Sequence, residues 1–324
     1  MHSSLSKRLY SSIRAGLILA RQTRTITTPP FLLASSSTRY RIVGGFRSAL
    51  RLFIPLLAFY FVIGPATALG VAIYRGAGPP SLREYLQSLG FGPLWFVEAL
   101  LVFTCIYVLW LFLARDRPAR PGRHGPPSYR MIAAFTLALA VVTFLWRTVV
   151  PVGLWVPVVD FPTLAYLPQY ASLFVVGVIA YRRDWFRGIP GSMGKVGFGM
   201  ALGATVIFFP VALVGIPDSL GGGTWQSLLY ALWDSTLCVG IGLGLLTLFR
   251  KRFDAQRRLG RFLSAHTYAV YVIHAPVIVL VAIALAGLDI YPLLKFGLAV
   301  ILGVPLCFAS AYVVRKLPFA ARIL

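Results

Sequence analysis

Residues 94–114 read LWFVEALLVFTCIYVLWLFLA and contain one charged side chain, that of Glu98. An α-helix needs about 20 predominantly apolar residues to cross the hydrocarbon core of a bilayer, and this stretch has that length. The residues that follow, RDRPARPGR from Arg115, are basic and rich in proline. The stretch therefore predicts a transmembrane helix that ends at a polar loop.

The composition of the whole chain supports the same interpretation. Of its 324 residues, 58% are hydrophobic and 12% are charged, whereas a soluble domain carries about 25% charged residues. Aromatic residues make up 14%, which excludes a disordered chain. The three cysteines lie in apolar runs, a pattern that fits neither a disulfide framework nor a zinc site, and we predict no bound metal.

Apolar stretches of membrane-spanning length recur along the chain. The sequence therefore predicts an all-helical polytopic membrane bundle of about eight transmembrane helices. The predicted spans are 52–73, 94–114, 131–149, 164–181, 196–216, 226–249, 266–286 and 292–314. We assign residues 46–324 to one membrane domain that follows a distinct segment, 1–45.

Basic residues are concentrated in alternate loops. The loops after the second, fourth and sixth spans and the C-terminal tail hold clusters of Arg and Lys, whereas the other loops hold few. Cytoplasmic loops of membrane proteins carry such an excess. We therefore predict that both termini are cytoplasmic, in the plasma or inner membrane. Most of the net charge of +22 then reflects topology, and we predict no nucleic-acid binding.

Residues 1–45 form a basic segment that contains no acidic residue. Lys7, Arg14 and Arg21 recur every seven residues and would share one face of a helix. Basic amphipathic segments without acids are typical of mitochondrial transit peptides. A basic cytoplasmic tail and a mis-assigned start are the alternatives, so a mitochondrial membrane is the alternative location.

Four polar side chains inside predicted spans could carry chemistry: Glu98, Arg147, Asp234 and His274. A charge at the bilayer centre costs at least ~2.5 kcal/mol on insertion scales, so such residues are functional candidates by default. The alternative is an interhelical salt bridge or a side chain that reaches water, and Arg147, at a span end, fits both interpretations. His274 follows His266, which lies at the predicted start of the same span, and a single histidine in a bundle is often merely hydrogen-bonded.

Small residues spaced four apart occur in two predicted spans, as Gly199 with Gly203 and Gly240 with Gly244. Such pairs indicate close helix packing more often than ligand binding. The phosphate-binding motifs GxxxxGK[ST] and GxGxxG and the hydrolase motifs HExxH and GxSxG are absent from the sequence.

Four stretches, in order along the chain, resemble the membrane acyltransferase-3 family, which includes polysaccharide O-acetyltransferases and glucan-modifying acyltransferases. Residues 92–103, GPLWFVEALLVF, are similar to its GPLWF…LLxF signature. Residues 46–55, FRSALRLFIP, resemble the basic start of one of its spans, and residues 167–183 its LPxY…FxxGxxAYRR segment. Residues 264–276, SAHTYAVYVIHAP, resemble its SYxxYxxHxP helix.

The resemblance implies transfer of an acyl group, with acetyl as the favoured case, from a CoA thioester to a hydroxyl of a carbohydrate or lipid-linked acceptor. Acyl-CoA would be a donor substrate and not a bound cofactor, and the bilayer would be the other partner. Glu98 and His274 are the candidate catalytic residues. The candidate substrate-binding residues are Arg47, Arg51, Trp95, Arg147 and Asp234. Arg47 and Arg51 could hold CoA phosphates or serve as ordinary basic flanks.

The chain also departs from the family pattern. Family members begin with two further spans, the first of which carries the histidine thought to act as catalytic base, and nothing upstream of Phe46 resembles them. The family's RxxR pattern would need a basic residue at Ser48. An inactive fragment of the fold is therefore one alternative. A membrane transporter or permease is the other, because Glu98, Asp234 and His274 could line a pathway, although the inverted repeats of many transporters are not evident.

Overall fold

The structure is a computed structural model that describes residues 38–113, 125–154, 164–214, 216–252 and 258–323. Within these ranges the secondary structure is helical and contains no strand. Eight of the helices described there are long and apolar enough to cross a membrane. The prediction of a polytopic helical membrane bundle is therefore confirmed. The predicted amphipathic helix around Lys7, Arg14 and Arg21 and most of the basic loop after Leu113 lie outside the described residues.

The first span is a long helix with a local distortion. Helix α1 (Thr38–Ala58) passes through a π-helical turn at Phe59–Ile63 into α2 (Gly64–Tyr74). Pro55 and Pro65 flank this turn. Since proline lacks a backbone N–H and displaces the preceding turn, the distortion falls where the helix is least able to keep its regular hydrogen bonds.

The second span begins after two short turns. Helix α3 (Leu82–Gln87) starts at a capping box, in which the Ser81 hydroxyl accepts from the Glu84 N–H and the Glu84 carboxylate accepts from the Ser81 N–H. A 3-10 turn at Gly92–Leu94 then leads directly into α4 (Trp95–Leu113). The GPLWF signature is therefore the point at which the chain turns into its second spanning helix.

The remaining spans follow in sequence. They are α5 (Tyr129–Val149), α6 (Leu167–Arg182), α8 (Gly191–Val214), α10 (Trp225–Arg252), α11 (Arg258–Ala284) and α12 (Pro292–Lys316). Three short helices, α7 (Trp185–Gly188), α9 (Ile216–Ser219) and α13 (Ala320–Ile323), and a 3-10 turn at Leu164–Tyr166 complete the described chain. Each predicted span overlaps one of the long helices. Helices α1, α8 and α11 begin earlier than predicted, because the helical backbone continues through polar turns that the apolar pattern does not reveal.

The chain divides into two compact units. The described part of the first unit consists of residues 38–50 and 104–113, where Gly45 is buried against Val108 so closely that a Cβ at Gly45 would overlap it. All other described residues belong to the second unit, which contains the features discussed below except Arg47.

The most extensive helix packing in the second unit joins α8 and α10. A Cβ added at Gly197 would lie 2.6 Å from the carbonyl oxygen of Gly240, and Gly244 likewise lies against a side chain of α8. Gly199 and Gly203 have open space beside them. The predicted packing role is therefore confirmed for Gly240 and Gly244 and wrong for Gly199 and Gly203, because a different face of α8 meets its neighbour.

An apolar core joins α1, the π-helical turn, the signature turn, α4, α11 and α12. Its buried side chains are Leu56, Phe59, Leu94, Val97, Ala269, Val272, Ile273 and Ala311. Leu94 is completely buried, so the turn that precedes α4 is anchored against the middle of α11.

Candidate active site

An ion pair forms the centre of a polar cluster between α5, α6 and α10. Nη2 of Arg147 lies 2.7 Å from Oδ2 of Asp234, and Nε2 of Gln169 donates to the same oxygen at 2.9 Å. The side chain of Arg147 is fully buried, whereas that of Asp234 is 15% exposed. The structure thus brings together two of the predicted binding residues, which are 87 positions apart in the sequence.

The position of the cluster follows from where these residues fall on their helices. Arg147 lies in the last turn of α5 and Gln169 in the first turn of α6. The buried residues of α5 fall at positions 136, 139, 140, 143 and 147, which is the spacing of a single helix face. Arg147 therefore lies on the face of α5 that packs against the bundle. It is near the C-terminal end of α5, far from the basic loop that precedes this helix.

Two aromatic rings enclose the guanidinium group of Arg147. Its Cζ atom lies 4.6 Å from the ring centroid of Tyr166 and 5.1 Å from that of Tyr230. The hydroxyl groups of the two tyrosines are 3.2 Å apart. Because a desolvated cation is attracted to the face of an aromatic ring, the two rings stabilise the charge of Arg147 together with the carboxylate of Asp234.

The cluster has hydrogen-bonding capacity that the described residues do not use. Nε and Nη1 of Arg147 are buried and have no hydrogen-bond partner among these residues. Both hydrogen bonds to Asp234 end on Oδ2, so Oδ1 accepts none from the described chain. A buried polar group without a partner costs about 1–3 kcal/mol. The arrangement therefore suits a group that both donates and accepts, such as a hydroxyl or a water molecule.

A row of aromatic side chains leads from the cluster to the start of α4. The ring centroids of Tyr166 and Tyr170 are 6.3 Å apart, and Tyr170 lies 5.7 Å from Trp95. Trp95, a predicted binding residue, therefore joins the cluster through Tyr170.

Glu98 lies one turn into α4, as the sequence predicted. Its side chain is buried with 6% exposed. Because residues three apart on a helix are neighbours on its surface, Glu98 shares a face with Trp95, which contacts Tyr170 of α6. The catalytic role of Glu98 stays a prediction.

His274 lies in the second half of α11, and its Nδ1 is 2.6 Å from the carbonyl oxygen of Tyr271. A carbonyl oxygen only accepts, so Nδ1 carries the proton and Nε2 has the free lone pair in the neutral ring. The Tyr271 hydroxyl donates to the carbonyl oxygen of Pro93 at 2.6 Å, and its ring stacks on His274 with centroids 5.7 Å apart. Tyr271 therefore connects this candidate base to the signature turn.

His266 does not lie at the start of its helix, and that prediction is wrong. Helix α11 begins at Arg258, two turns earlier, so His266 is an interior residue with 9% of its surface exposed. Its Nδ1 lies 2.7 Å from the carbonyl oxygen of Phe262, and its ring packs against Phe262 and Tyr312. The apolar pattern missed the start of α11 because the first turns contain basic residues.

Arg47 and Arg51 both lie on α1. The side chain of Arg51 is exposed, and its carbonyl oxygen accepts a hydrogen bond from Tyr268 of α11 at 3.2 Å. Binding of CoA phosphates by Arg47 and Arg51 stays a prediction.

Sequence reasoning missed Gln169, Tyr166 and Tyr230 as members of the site. Gln169 lies in the LPQY stretch that carries part of the family resemblance, so a signal for it existed. The tyrosines do not stand out among the 15 in the chain. Only the packing of α5 against α6 and α10 shows which of them face a buried charge.

A protein-family model described as "Acyltransferase domain" matches residues 31–312. The chain belongs to this acyltransferase-3 family. No curated protein and no solved structure matches the chain. The matched range contains every residue of the polar cluster and His274, and the predicted family is confirmed. The protein is thus a multi-pass membrane acyltransferase, and family membership favours this hypothesis over the transporter or permease alternative.

Proposed function

We propose that the protein transfers an acetyl group from acetyl-CoA to a hydroxyl group of a carbohydrate or lipid-linked acceptor. Family membership supports acyl transfer in general. The observation that supports a hydroxyl acceptor is the buried cluster of Arg147, Gln169 and Asp234, in which two donor groups of Arg147 and one oxygen of Asp234 are not used by the described residues.

The cluster suits a sugar hydroxyl in particular. Such a group can donate to Oδ1 of Asp234 while its oxygen accepts from Nε or Nη1 of Arg147. Binding pockets commonly combine aromatic walls with a few placed polar groups, and Tyr166, Tyr170 and Trp95 supply such walls here. The partial exposure of Asp234 provides access to an otherwise buried cluster.

Acyl transfer requires the acceptor oxygen to attack the thioester carbonyl carbon. The C–S bond then breaks, the thiolate of CoA leaves, and a base takes the hydroxyl proton. A positioned base contributes typically 10²–10⁴-fold to the rate. The described candidates are Nε2 of His274, which has a free lone pair in the neutral ring, and the carboxylate of Glu98. Arg47 and Arg51 would hold the CoA phosphates.

The two substrates would reach the protein from opposite sides of the plasma or inner membrane. The basic loops and both termini are assigned to the cytoplasm, which is where acetyl-CoA would bind. The polar cluster lies at the other end of α5, so the acceptor would bind from the non-cytoplasmic side.

The test is acetyl transfer by the full chain in liposomes. Radiolabelled acetyl-CoA and extracted glycolipids or polysaccharide are added, and label in the acceptor is measured together with acceptor-independent hydrolysis. Asp234→Asn weakens the proposed acceptor site, so we expect the acceptor KM to rise roughly ten-fold or more, as for loss of a charged hydrogen bond, with unchanged binding of acetyl-CoA.

Asp218→Asn makes the same chemical change at an exposed residue and is the matched control. Absence of transfer by the wild-type protein to every hydroxyl acceptor would favour the inactive-fragment alternative. Equal acceptor KM values for Asp234→Asn and wild type would remove the polar cluster from the acceptor site.

A further inference from the structure

An apolar cleft opens between α5, α8 and α10, with a volume of about 260 Å³. Its walls include Ile132 and Ala133 of α5, Val196 and Met200 of α8, and Val239 and Leu243 of α10. The residues of the polar cluster do not line it. The cleft is therefore separate from the candidate active site, although the same helices form both.

The close approach of α8 and α10 shapes the cleft. Gly197 and Gly240 line it and leave no side chains between the two helices at this level. The resulting space is lined almost entirely by apolar side chains, which suits a hydrocarbon chain.

Basic side chains lie at one end of the three helices, where α5 and α8 begin and α10 ends. Arg130 is exposed in the first turn of α5, Lys195 is exposed as the fifth residue of α8, and Lys251 is exposed in the last turn of α10. The Lys251 ammonium lies directly against Gly191, the first residue of α8. The first turns of α5 and α8 contain no acidic residue.

Polar hydroxyl groups complete this end of the cleft. The hydroxyl of Tyr129, which lines the cleft, donates to Oγ of Ser192 at 3.1 Å and so connects α5 with α8. The cleft thus combines an apolar interior between three spanning helices with a basic, hydroxyl-bearing end where α5 and α8 begin and α10 ends. This is the polarity of a phospholipid with a negatively charged headgroup.

We propose that the cleft binds one acyl chain of an anionic phospholipid, whose phosphate lies against Arg130, Lys195 and Lys251. Each basic residue near a membrane surface strengthens attraction to anionic lipid by about five-fold. The bound chain fills the gap between the helices that carry Arg147 and Asp234. The proposal does not depend on the nature of the acyl acceptor.

Lipid binding to the full chain in detergent tests the headgroup part of the proposal. Phosphatidylglycerol and phosphatidylcholine with identical chains are titrated separately, and bound lipid is counted by native mass spectrometry. We expect tighter binding of phosphatidylglycerol, weakened roughly five-fold by Lys251→Gln, with no change for phosphatidylcholine. Arg261→Gln removes an exposed charge from α11 and should change neither affinity.

Substitutions of two adjacent alanines test the chain-binding part. Ala133→Phe places a ring in the cleft, whereas Ala134→Phe places the same ring on the neighbouring exposed position that does not line it. We expect Ala133→Phe to lose phosphatidylglycerol and Ala134→Phe to retain it. Because both positions are exposed, neither ring has to enter a packed core.

Three results would overturn the proposal. One is equal affinity of the wild-type protein for the two lipids. Another is equal retention of phosphatidylglycerol by Ala133→Phe and Ala134→Phe. The third is a wild-type dimer that Ala133→Phe converts to a monomer, which would place a second copy of the chain on the cleft.

Discussion

At the scale of single residues, the pair of Arg147 and Asp234 shows how a charge buried among membrane-spanning helices is stabilised. Removal of an ion from water costs several kcal/mol even after relaxation, so each charge needs an opposite charge and well-placed hydrogen bonds. Asp234 receives hydrogen bonds from Arg147 and Gln169, and Arg147 also lies between two aromatic rings. The sequence predicts that both residues lie inside spans, because charged residues stand out in apolar stretches. Their pairing cannot, because it depends on how distant helices pack.

We expect Arg147→Gln to lower the melting temperature of the detergent-solubilised protein sharply. The substitution leaves the carboxylate of Asp234 without its cation, and loss of one partner of a buried pair costs about 3–5 kcal/mol. The double variant Arg147→Gln with Asp234→Asn removes both charges and should recover much of the loss. Strictly additive effects of the two substitutions would contradict a coupled ion pair.

His274 and Tyr271 give a second prediction at this scale, which rests on the proposed acetyl transfer. If Nε2 of His274 is the base, His274→Gln should lower kcat by roughly 10²–10⁴-fold without lowering abundance. Tyr271→Phe keeps the stacked ring but removes the hydrogen bond to Pro93, so we expect a smaller loss of kcat.

Glu98 provides the comparison for that experiment. A fully active His274→Gln protein would exclude His274 as the base and leave Glu98 as the described candidate, to be tested by Glu98→Gln. A fall in abundance and heat resistance together with activity would instead indicate that the substituted residue holds helices together.

At the scale of helices, the contact between α8 and α10 shows where sequence spacing is informative and where it is not. A spacing of four places two glycines on one helix face, but it does not say which face meets a neighbour. Gly240 and Gly244 lie on the packed face of α10, whereas Gly199 and Gly203 lie beside open space. Spans are predictable because each crossing needs about 20 apolar residues. Packed faces depend on partners that the local sequence does not specify.

Alanine substitutions at two of these glycines should therefore differ in their effect on stability. In Gly240→Ala the new Cβ would lie 2.5 Å from the carbonyl oxygen of Gly197, and the helices must separate to relieve the overlap. Overpacking of this kind costs typically about 1–3 kcal/mol. Gly199→Ala adds a methyl group in open space and should be neutral or stabilising. Melting temperatures of the two purified variants measure the difference, and equal values would contradict the close contact.

At the scale of the whole molecule, contacts between loops show which helix ends lie together. Arg250, at the end of α10, donates through Nη1 to the carbonyl oxygens of Phe186 and Arg187, which follow α6. At the opposite ends of α5 and α10, the N–H of Val152 donates to the carbonyl oxygen of Leu220 at 2.8 Å. The basic loops after α6 and α10 therefore share one end of the bundle, as a positive-inside arrangement requires.

This arrangement leads to a prediction about topology. A reporter fused after Arg258 should be cytoplasmic, or on the matrix side if the protein is mitochondrial, and one inserted in the Gly221–Gly223 turn should lie on the opposite face. The physical reason is the excess of Lys and Arg in the loops at the Arg258 end, which resist translocation. Protease protection or a compartment-specific fluorescent reporter distinguishes the two faces. Both reporters on one face would contradict the span count between them. Opposite faces with the Gly221–Gly223 reporter in the cytoplasm would retain the helical bundle but reverse the sides from which donor and acceptor are proposed to bind.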